Sequence, residues 1–232
     1  MNYRHNRNIA LCALSLLLLG CASLSEPTDN GRQNFVYVHD LIPDVVLDVR
    51  YFSDDNFVGA RVDGYREPVV LISKTAGQAL SNVQASLREQ GLGLKIFDGY
   101  RPQKAVDHFV RWAADPADTL TKTKYYPALP KNQLFDLGYI SAKSGHTRGS
   151  TLDLTIVNLE SGEELDMGSG WDFFGDISHH DSPLVDAHAT ANRDLLRDLM
   201  IKHGFRPART EWWHYSLVDE PFPDTYFDFD VE

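Results

Sequence analysis

The chain is poor in cysteine, has no basic stripe, and contains no linker-like stretch within its main part. Its two cysteines, Cys12 and Cys21, both lie close to the N-terminus, so the remaining residues cannot form a disulfide. The formal net charge is −11, and the Lys and Arg residues are scattered. Such a surface repels phosphates and anionic head groups, which excludes nucleic acid as an expected partner.

The N-terminal residues have the pattern of an export signal. Arg4 and Arg7 precede an apolar run over residues 9–19, which is too short to span a bilayer comfortably. The segment Leu18-Leu-Gly-Cys21 resembles the lipobox of bacterial lipoproteins, in which the cysteine becomes lipidated. We therefore expect a signal peptide over residues 1–20 and an exported protein that Cys21 anchors to the membrane, facing the periplasm or the cell exterior. Ordinary secretion with cleavage nearby is the alternative, because Leu19 is atypical for its place in that pattern.

The rest of the chain is expected to form one domain behind a tether. Residues 21–34 are mostly polar and predict a flexible tether, and residues 35–232 predict a single folded domain, since nothing resembling a linker divides them. A composition of 43 % hydrophobic and 24 % charged residues is ordinary for a globular fold.

Hydrophobic periodicity predicts an α+β fold. Helical spacing follows Ser73 and Pro102 and also covers residues 187–203, and the first of these patterns ends at Gly91 and the last at Gly204. Strand patterns cover residues 45–52, 94–97, 152–159 and 212–218. We expect a small antiparallel sheet with helices packed mainly on one face.

Two short segments supply the ligand types of a catalytic zinc site. His146 lies in a glycine-flanked turn, Asp153 follows seven residues later on a predicted strand, and His214 lies near the C-terminus. Two imidazoles and one carboxylate give zinc three protein ligands and leave a fourth position for water. We therefore predict one Zn²⁺ per chain, with Gly149 allowing the turn that brings His146 and Asp153 together. Taken singly, His146 as a turn cap and Asp153 paired with Arg148 are the structural alternatives.

Glu211 is a spare carboxylate three residues from His214. A carboxylate beside an activated water can accept its proton during attack on a carbonyl, which predicts amide hydrolysis with Glu211 as the general base. Residues three apart share a face on a helical turn but not on a regular strand, so a turn or bulge is expected here. We also expect Trp212, Trp213 and Tyr215 to form the wall of the site.

Arg101 follows a predicted strand and precedes a predicted helix, a junction at which side chains are often aimed into clefts. The alternative is a salt bridge from Arg101 to Asp98.

The motifs together resemble those of the D-alanyl-D-alanine dipeptidases, the VanX-type zinc peptidases. The similarity extends from residue 41 to the C-terminus and includes the metal-site segments Ser-Gly-His146-Thr-Arg-Gly-Ser-Thr-Leu-Asp153 and Glu211-Trp-Trp-His214, together with Asp55-Asn-Phe-Val-Gly59, Val62-Asp-Gly-Tyr65, Phe97-Asp-Gly-Tyr-Arg-Pro102, Met167-Gly-Ser169, Ser178-His-His180 and Tyr226-Phe-Asp-Phe229. The resemblance implies a D,D-peptidase fold of the kind shared with hedgehog domains.

The resemblance also implies roles for individual residues. It makes His146, Asp153 and His214 the zinc ligands and Glu211 the general base, and it makes Arg101 the cation that stabilises the oxyanion.

For the substrate, the resemblance implies that Asp172 and Tyr51 contact an ammonium group and that Ser144 contacts a carboxylate. A helix N-cap is the alternative role for Asp172. The expected partner is a small zwitterionic dipeptide, and oligomeric state is left without a prediction.

The predicted function is zinc-dependent hydrolysis of D-alanyl-D-alanine to two D-alanines, in turnover or salvage of cell-wall peptides. One alternative is a zinc D,D-carboxypeptidase or endopeptidase that acts on peptidoglycan stems. Another is a zinc-stabilised binding module without turnover, although the presence of both Glu211 and Arg101 counts against it.

Overall fold

The structure of the chain is a computed structural model that describes Met1 and residues 31–232. The expected signal peptide, most of the expected tether and Cys21 lie outside the described residues, so these expectations stay predictions. Residues Arg32–Asn34 form a short 3₁₀ turn ahead of the first strand. Among the described residues, no helix combines the length and the apolar character needed to cross a bilayer.

Within residues 31–232 the structure has seven strands and five α-helices. The strands are β1 (Phe35–Tyr37), β2 (Val46–Leu47), β3 (Leu71–Ser73), β4 (Leu92–Asp98), β5 (Thr151–Asn158), β6 (Phe205–Pro207) and β7 (His214–Leu217). The helices are α1 (Val38–Leu41), α2 (Lys74–Arg88), α3 (Gln103–Ala114), α4 (Lys122–Tyr125) and α5 (Ala187–Lys202).

The main sheet has the strand order β2-β4-β5-β7-β6, and β1 pairs with β3 in a separate antiparallel ribbon. Every pair in the main sheet is antiparallel except β2 with β4. The α+β class is therefore confirmed, and the parallel edge pair is a difference from the expected sheet. Helix α2 lies between β2 and β4 in the chain and provides the long crossover that a parallel pair requires.

The central strand β5 separates an apolar layer from a polar one. Because side chains alternate along a strand, Leu152, Leu154 and Ile156 face one side, and Asp153 and Thr155 face the other. All five are buried. Helices α2 and α5 contact both the sheet and each other, so the two longest helices share one face, as expected. The polar face of β5 carries the candidate site.

Ser73 caps the start of α2 and Gly204 follows the end of α5 as the sequence predicts, and Asp186 is an additional N-cap that the structure reveals. The Ser73 hydroxyl accepts a hydrogen bond from the Ala76 amide at 3.4 Å, and the Asp186 carboxylate accepts one from the Ala189 amide at 2.8 Å. Helix α5 stops just before Gly204, whose φ of 89° lies in the left-handed region.

The strand expected over residues 45–52 is wrong for most of its length. Only Val46–Leu47 pair as a strand, and Arg50–Phe52 form a 3₁₀ turn. The turn directs the ring of Tyr51 into the interior, where its hydroxyl meets Asp172. Tertiary contacts here override a β-rich composition.

Candidate metal centre

His146 opens a 3₁₀ turn, His146–Arg148, which Gly149 ends with a φ of 80°. A Cβ atom at Gly149 would lie 2.2 Å from the ring of Phe35, so both the conformation and the packing require glycine there. The turn presents His146 to the polar face of β5. Its Nδ1 lies 2.7 Å from the carbonyl oxygen of Gly99, to which it donates, and this leaves Nε2 as the free ligand atom.

Asp153 and His214 come from neighbouring strands and are direct partners in the register of β5 and β7. The Nδ1 atom of His214 lies 3.0 Å from Oδ1 of Asp153 and 3.2 Å from Nε2 of His146. Nε2 of His146 lies 3.3 Å from the same aspartate oxygen. Three potential ligand atoms therefore form a triangle with edges of 3.0–3.3 Å.

The size of this triangle fits zinc. A tetrahedral Zn²⁺ bound at about 2.0–2.1 Å by nitrogen and oxygen separates its ligands by about 3.3 Å, close to the edges observed. Within the part of the chain that the structure describes, His146, Asp153 and His214 form a group of side chains that could hold one metal ion, with one potential ligand atom from each lying within 4.8 Å of the others. Three ligands leave one tetrahedral position open, which is the coordination of a catalytic site.

The electrostatic surroundings suit a cation between these groups. Burial lowers the pKa of His146, so its imidazole is neutral and able to bind a metal. Burial opposes a charge on Asp153 as well, but the two imidazoles hold the pKa of its carboxyl far below the usual range. Burial also opposes a charge on His214, yet its hydrogen bond with Asp153 and the charges of Asp153 and Glu211 raise its pKa. A bound cation would replace that proton.

Glu211 lies in the turn that precedes β7. This turn allows Glu211 and His214, three residues apart, to face the same site, which a regular strand would not allow. The amide of His214 donates to the carbonyl of Glu211 at 3.3 Å, and the carboxylate of Glu211 lies 3.5 Å from Nδ1 of His214. The expected turn is confirmed. Burial raises the pKa of Glu211 to about 7, a value at which a carboxylate can both take up and release a proton near neutral pH.

Arg101 follows β4 and is held by two aspartates. Its Nε and Nη2 atoms lie 2.9 and 2.8 Å from Oδ2 of Asp98, and Nη2 lies 3.5 Å from Oδ2 of Asp153. The salt bridge to Asp98, named above as the alternative role, and the position beside the ligand triangle therefore coexist. The hydroxyl of Tyr65 donates to the other oxygen of Asp98 at 2.6 Å, which fixes this carboxylate in turn.

Trp171 is a contact that the sequence reasoning missed. Its indole Nε1 donates to Oδ2 of Asp153 at 3.4 Å, so the aspartate oxygen that faces away from the triangle is contacted by Trp171 and Arg101. Such outer contacts orient a metal ligand. The available signal was the position of Trp171 directly before Asp172.

A cavity of about 210 Å³ adjoins the triangle. Asp172, Tyr51 and Ser144 line it together with Arg101 and Glu211. The Tyr51 hydroxyl donates to the Asp172 carboxylate at 2.6 Å, and Asp172 is 4 % exposed. Burial raises the pKa of Asp172 well above its usual range, and a cation bound beside this carboxyl would favour its charged form.

Asp172 has a φ of 57°. Among the described residues, it is the one residue other than glycine that has a positive φ. It occupies a turn rather than a helix N-cap, so the N-cap alternative is wrong. Aspartate is one of the few non-glycine residues that tolerate this left-handed backbone.

The expectation about the walls of the site is wrong. Trp212, Trp213 and Tyr215 do not line the cavity. Strand alternation turns Tyr215 to the face opposite His214, and the indole of Trp212 donates to the hydroxyl of Ser169 at 3.0 Å. The aromatic lining comes from Tyr51, Phe57, Phe109, Tyr139 and Phe174.

Comparison with known proteins assigns the chain to a family. The model of peptidase family M15, described as D-ala-D-ala dipeptidase, matches residues 31–232. A protein of Enterococcus faecalis named D-alanyl-D-alanine dipeptidase is 45 % identical over 203 residues, which cover 88 % of this chain and 99 % of the relative. Proteins of the same name from Streptomyces coelicolor and Escherichia coli are 44 % and 32 % identical, covering 85 % and 76 % of this chain and 98 % and 81 % of the relatives.

Among solved structures, a mutant of the vancomycin resistance D,D-pentapeptidase VanY in complex with Zn(II) is similar at 15 % identity and a TM-score of 0.40, over 68 % of this chain and 78 % of that one. The family match spans all of the described domain from residue 31, and the relatives are matched over most of their length. The chain therefore belongs to the D-ala-D-ala dipeptidase family of the M15 peptidases.

Proposed function

We propose that this protein is a zinc peptidase that hydrolyses D-alanyl-D-alanine to two D-alanines. The observation that carries the proposal is the triangle of His146, Asp153 and His214 with Glu211 beside it, at the edge of a cavity that also contains Arg101 and Asp172. Relatives named D-alanyl-D-alanine dipeptidase at 40–45 % identity support the substrate.

In this proposal His146, Asp153 and His214 hold Zn²⁺, one ion per chain. Bound zinc supplies Lewis-acid polarisation of the scissile carbonyl and lowers the pKa of a water molecule. Glu211 accepts a proton from the attacking water and delivers it to the leaving amine, a cycle that its raised pKa supports. Arg101 directs a fixed guanidinium toward the negative charge that develops on the carbonyl oxygen.

The ends of the substrate are assigned by charge. A free dipeptide carries an ammonium and a carboxylate, and the buried carboxylate of Asp172, hydrogen-bonded to Tyr51, matches the ammonium. Ser144 lies on the cavity wall next to the His146 turn and is assigned to the substrate carboxylate. The cavity volume of about 210 Å³ is below the roughly 300–1,000 Å³ of drug-sized ligand sites, which favours a small substrate over a peptidoglycan stem.

The biological setting is part of the proposal. If residues 1–20 are a signal peptide and Cys21 carries lipid, the enzyme acts outside the cytosol, where D-alanyl peptides are released from the wall. Turnover or salvage of such peptides then fits better than destruction of wall precursors. Fractionation combined with N-terminal mass determination tests this, and a full-length cytosolic protein would contradict it.

The decisive test compares free D-alanyl-D-alanine with its N-acetyl derivative. Acetylation removes the ammonium that Asp172 is proposed to bind and leaves the scissile bond unchanged. A dipeptidase cleaves the free form much faster, whereas a D,D-carboxypeptidase prefers the blocked form. Absence of turnover on both substrates with zinc bound would instead indicate a binding module.

A further inference from the structure

Arg193 is a buried cation outside the site described above. It lies on α5 and is 1 % exposed. Within the part of the chain that the structure describes, no carboxylate forms an ion pair with it, and burial lowers its pKa to about 10. The guanidinium is still charged at neutral pH. A buried charge without a counter-ion is costly, so its hydrogen bonds identify what it stabilises.

The donors of Arg193 converge on one segment of chain. Nε donates to the carbonyl of Met167 at 2.7 Å, Nη1 to that of His179 at 2.8 Å, and Nη2 to that of Ile177 at 2.9 Å. Nη2 also donates to the hydroxyl of Ser169 at 3.3 Å. Three of the acceptors are backbone carbonyls on both sides of residues 170–176.

This segment carries two groups that reach the site. Trp171 contacts the ligand carboxylate of Asp153, and Asp172 lines the cavity with its strained φ of 57°. A backbone in the left-handed region costs free energy for a residue other than glycine and persists only where surrounding contacts fix it. The side chain of Arg193 fixes the carbonyl of Met167, which precedes Asp172 in the chain, and the carbonyls of Ile177 and His179, which follow it.

The same network reaches the turn that carries the general base. Ser169, which accepts from Arg193, also accepts from the indole of Trp212 at 3.0 Å, and the amide of Trp212 donates to the carbonyl of Ser178 at 3.0 Å. Trp212 directly follows Glu211. The turn of Glu211 is also closed by its own hydrogen bond from the His214 amide to the Glu211 carbonyl, so the loss of Arg193 should act mainly on the Asp172 side of the cavity.

We propose that Arg193 is a positioning residue for substrate recognition, which clamps residues 167–179 so that the Asp172 carboxylate faces the ammonium end of the dipeptide. This inference rests on the proposed function, because it concerns the same substrate. Arg193 touches no reacting atom. Its effect is on the affinity for the free dipeptide, since a group that holds the ammonium equally in ground and transition states sets KM rather than kcat.

The test replaces Arg193 by Gln and by Lys, with Arg197→Gln as the matched control. Arg197 lies one turn further along α5, is partly exposed, and pairs with the surface carboxylates of Asp194 and Asp181. We expect Arg193→Gln to raise KM for D-alanyl-D-alanine about tenfold or more, with kcat and zinc per chain within about threefold of wild type. Arg193→Lys keeps the charge but not the fork of donors, and a smaller rise is expected. Arg197→Gln leaves KM unchanged.

A double-mutant cycle with Asp172→Asn separates this role from a general loss of stability. If Arg193 acts through Asp172, adding Arg193→Gln to Asp172→Asn raises KM little further. The proposal is overturned if the rise in KM of the double variant equals the product of the rises in the two single variants. It is also overturned if a folded, zinc-loaded Arg193→Gln variant has an unchanged KM. Failure of both Arg193 variants to fold would assign the residue to stability alone and equally overturn it.

Amide hydrogen exchange provides a readout that needs no turnover. Residues 169–176 should exchange faster in Arg193→Gln than in wild type or Arg197→Gln, and equal rates would contradict the clamp. The turnover of the wild-type protein in the kinetic assays distinguishes the proposed function from the proposed role of Arg193. A wild-type protein that does not cleave the dipeptide refutes the proposed function, whereas wild-type cleavage with unaltered KM in Arg193→Gln refutes only the role of Arg193.

Discussion

Asp153 and His214 stand directly opposite each other on two antiparallel strands, with Oδ1 of the aspartate 3.0 Å from Nδ1 of the histidine. They are 61 positions apart in the chain, and the pairing of the two strands brings them together. Two of the three proposed zinc ligands are thus set by the register of β5 and β7, and the third, His146, is set by a turn that glycine permits. The backbone thus places the three proposed ligands within 3.3 Å of one another.

Glu211→Gln keeps the shape of the proposed base and removes its ability to accept a proton. We expect kcat for D-alanyl-D-alanine to fall by about 10²–10⁴-fold, in line with the usual effect of a general base. Zinc content should stay at one ion per chain, because Glu211 is not among the three ligands. Steady-state kinetics and metal analysis check this, with Glu163→Gln on the exposed turn after β5 as a control of unchanged activity. A fully active Glu211→Gln variant would rule out the assigned role.

Removal of the metal should abolish hydrolysis and reduce thermal stability. Ligand binding at about 1,000 times its dissociation constant stabilises a folded protein by about 4 kcal/mol, so the zinc-loaded form should unfold at a higher temperature than the chelated one. Adding Zn²⁺ should restore both properties. His214→Ala should bind less than a tenth of the wild-type zinc, whereas His188→Ala on the exposed side of α5 should bind the normal amount. Retained turnover in chelated, zinc-free protein contradicts the prediction.

Arg101→Lys tests whether a guanidinium is needed beside Asp153. Lysine keeps the positive charge but cannot donate from two nitrogens to Asp98 while also facing Asp153. We expect kcat to fall by about 10²-fold, the size of effect seen when an oxyanion donor is lost, with KM and zinc content near those of wild type. Arg66→Lys, at an exposed position, is the control. If kcat stays within twofold of wild type, Arg101 serves only its salt bridge to Asp98.

His180 should make the stability of the protein depend on pH. Its ring is buried, neither ring nitrogen has a hydrogen-bond partner among the described residues, and burial lowers its pKa to about 4. The unfolded chain, with a histidine pKa of about 6.5, takes up its proton first as the pH falls. Above pH 6.5 the group has no effect, and between pH 6.5 and 4 the unfolding free energy should drop by up to about 3 kcal/mol.

His180→Phe should remove this loss and keep the edge-on ring contact with Tyr215, whose centroid lies 5.7 Å away. Urea unfolding at pH 7, 5.5 and 4.5, with both proteins stripped of metal, measures the difference. The advantage of the variant over wild type should grow on acidification. A constant difference across these pH values would show that His180 does not titrate differently in the folded and unfolded states.

More of the candidate site than of its surrounding contacts could be predicted from the sequence. His146, Asp153 and Glu211 lie in short motifs whose residue types determine their chemistry, so the sequence was enough to propose them together. Trp171 and Tyr65 escaped because their roles depend on where an indole or a hydroxyl points after folding. The spacing of residues in the sequence does not predict where a particular indole or hydroxyl group points in the folded protein.

The same limit explains the errors in the fold. Tyr51 lies in a β-rich stretch, but the chain forms a 3₁₀ turn there, and the Tyr51 hydroxyl contacts Asp172, 121 positions further along the chain. Tyr215 has the aromatic character of a cavity wall, yet one step along β7 turns it to the other face from His214, and it does not line the cavity. Periodicity identified α2 and α5 correctly because their caps and apolar stripes are local.

The left-handed backbone at position 172 limits how this enzyme can diverge. Asparagine and glycine share the conformational tolerance of aspartate, but neither carries the negative charge proposed to hold the substrate. Glutamate has the charge, yet it is not among the residue types enriched at positive φ. Backbone and chemistry therefore select the same amino acid independently, so random substitution at this codon should yield aspartate almost exclusively among active clones.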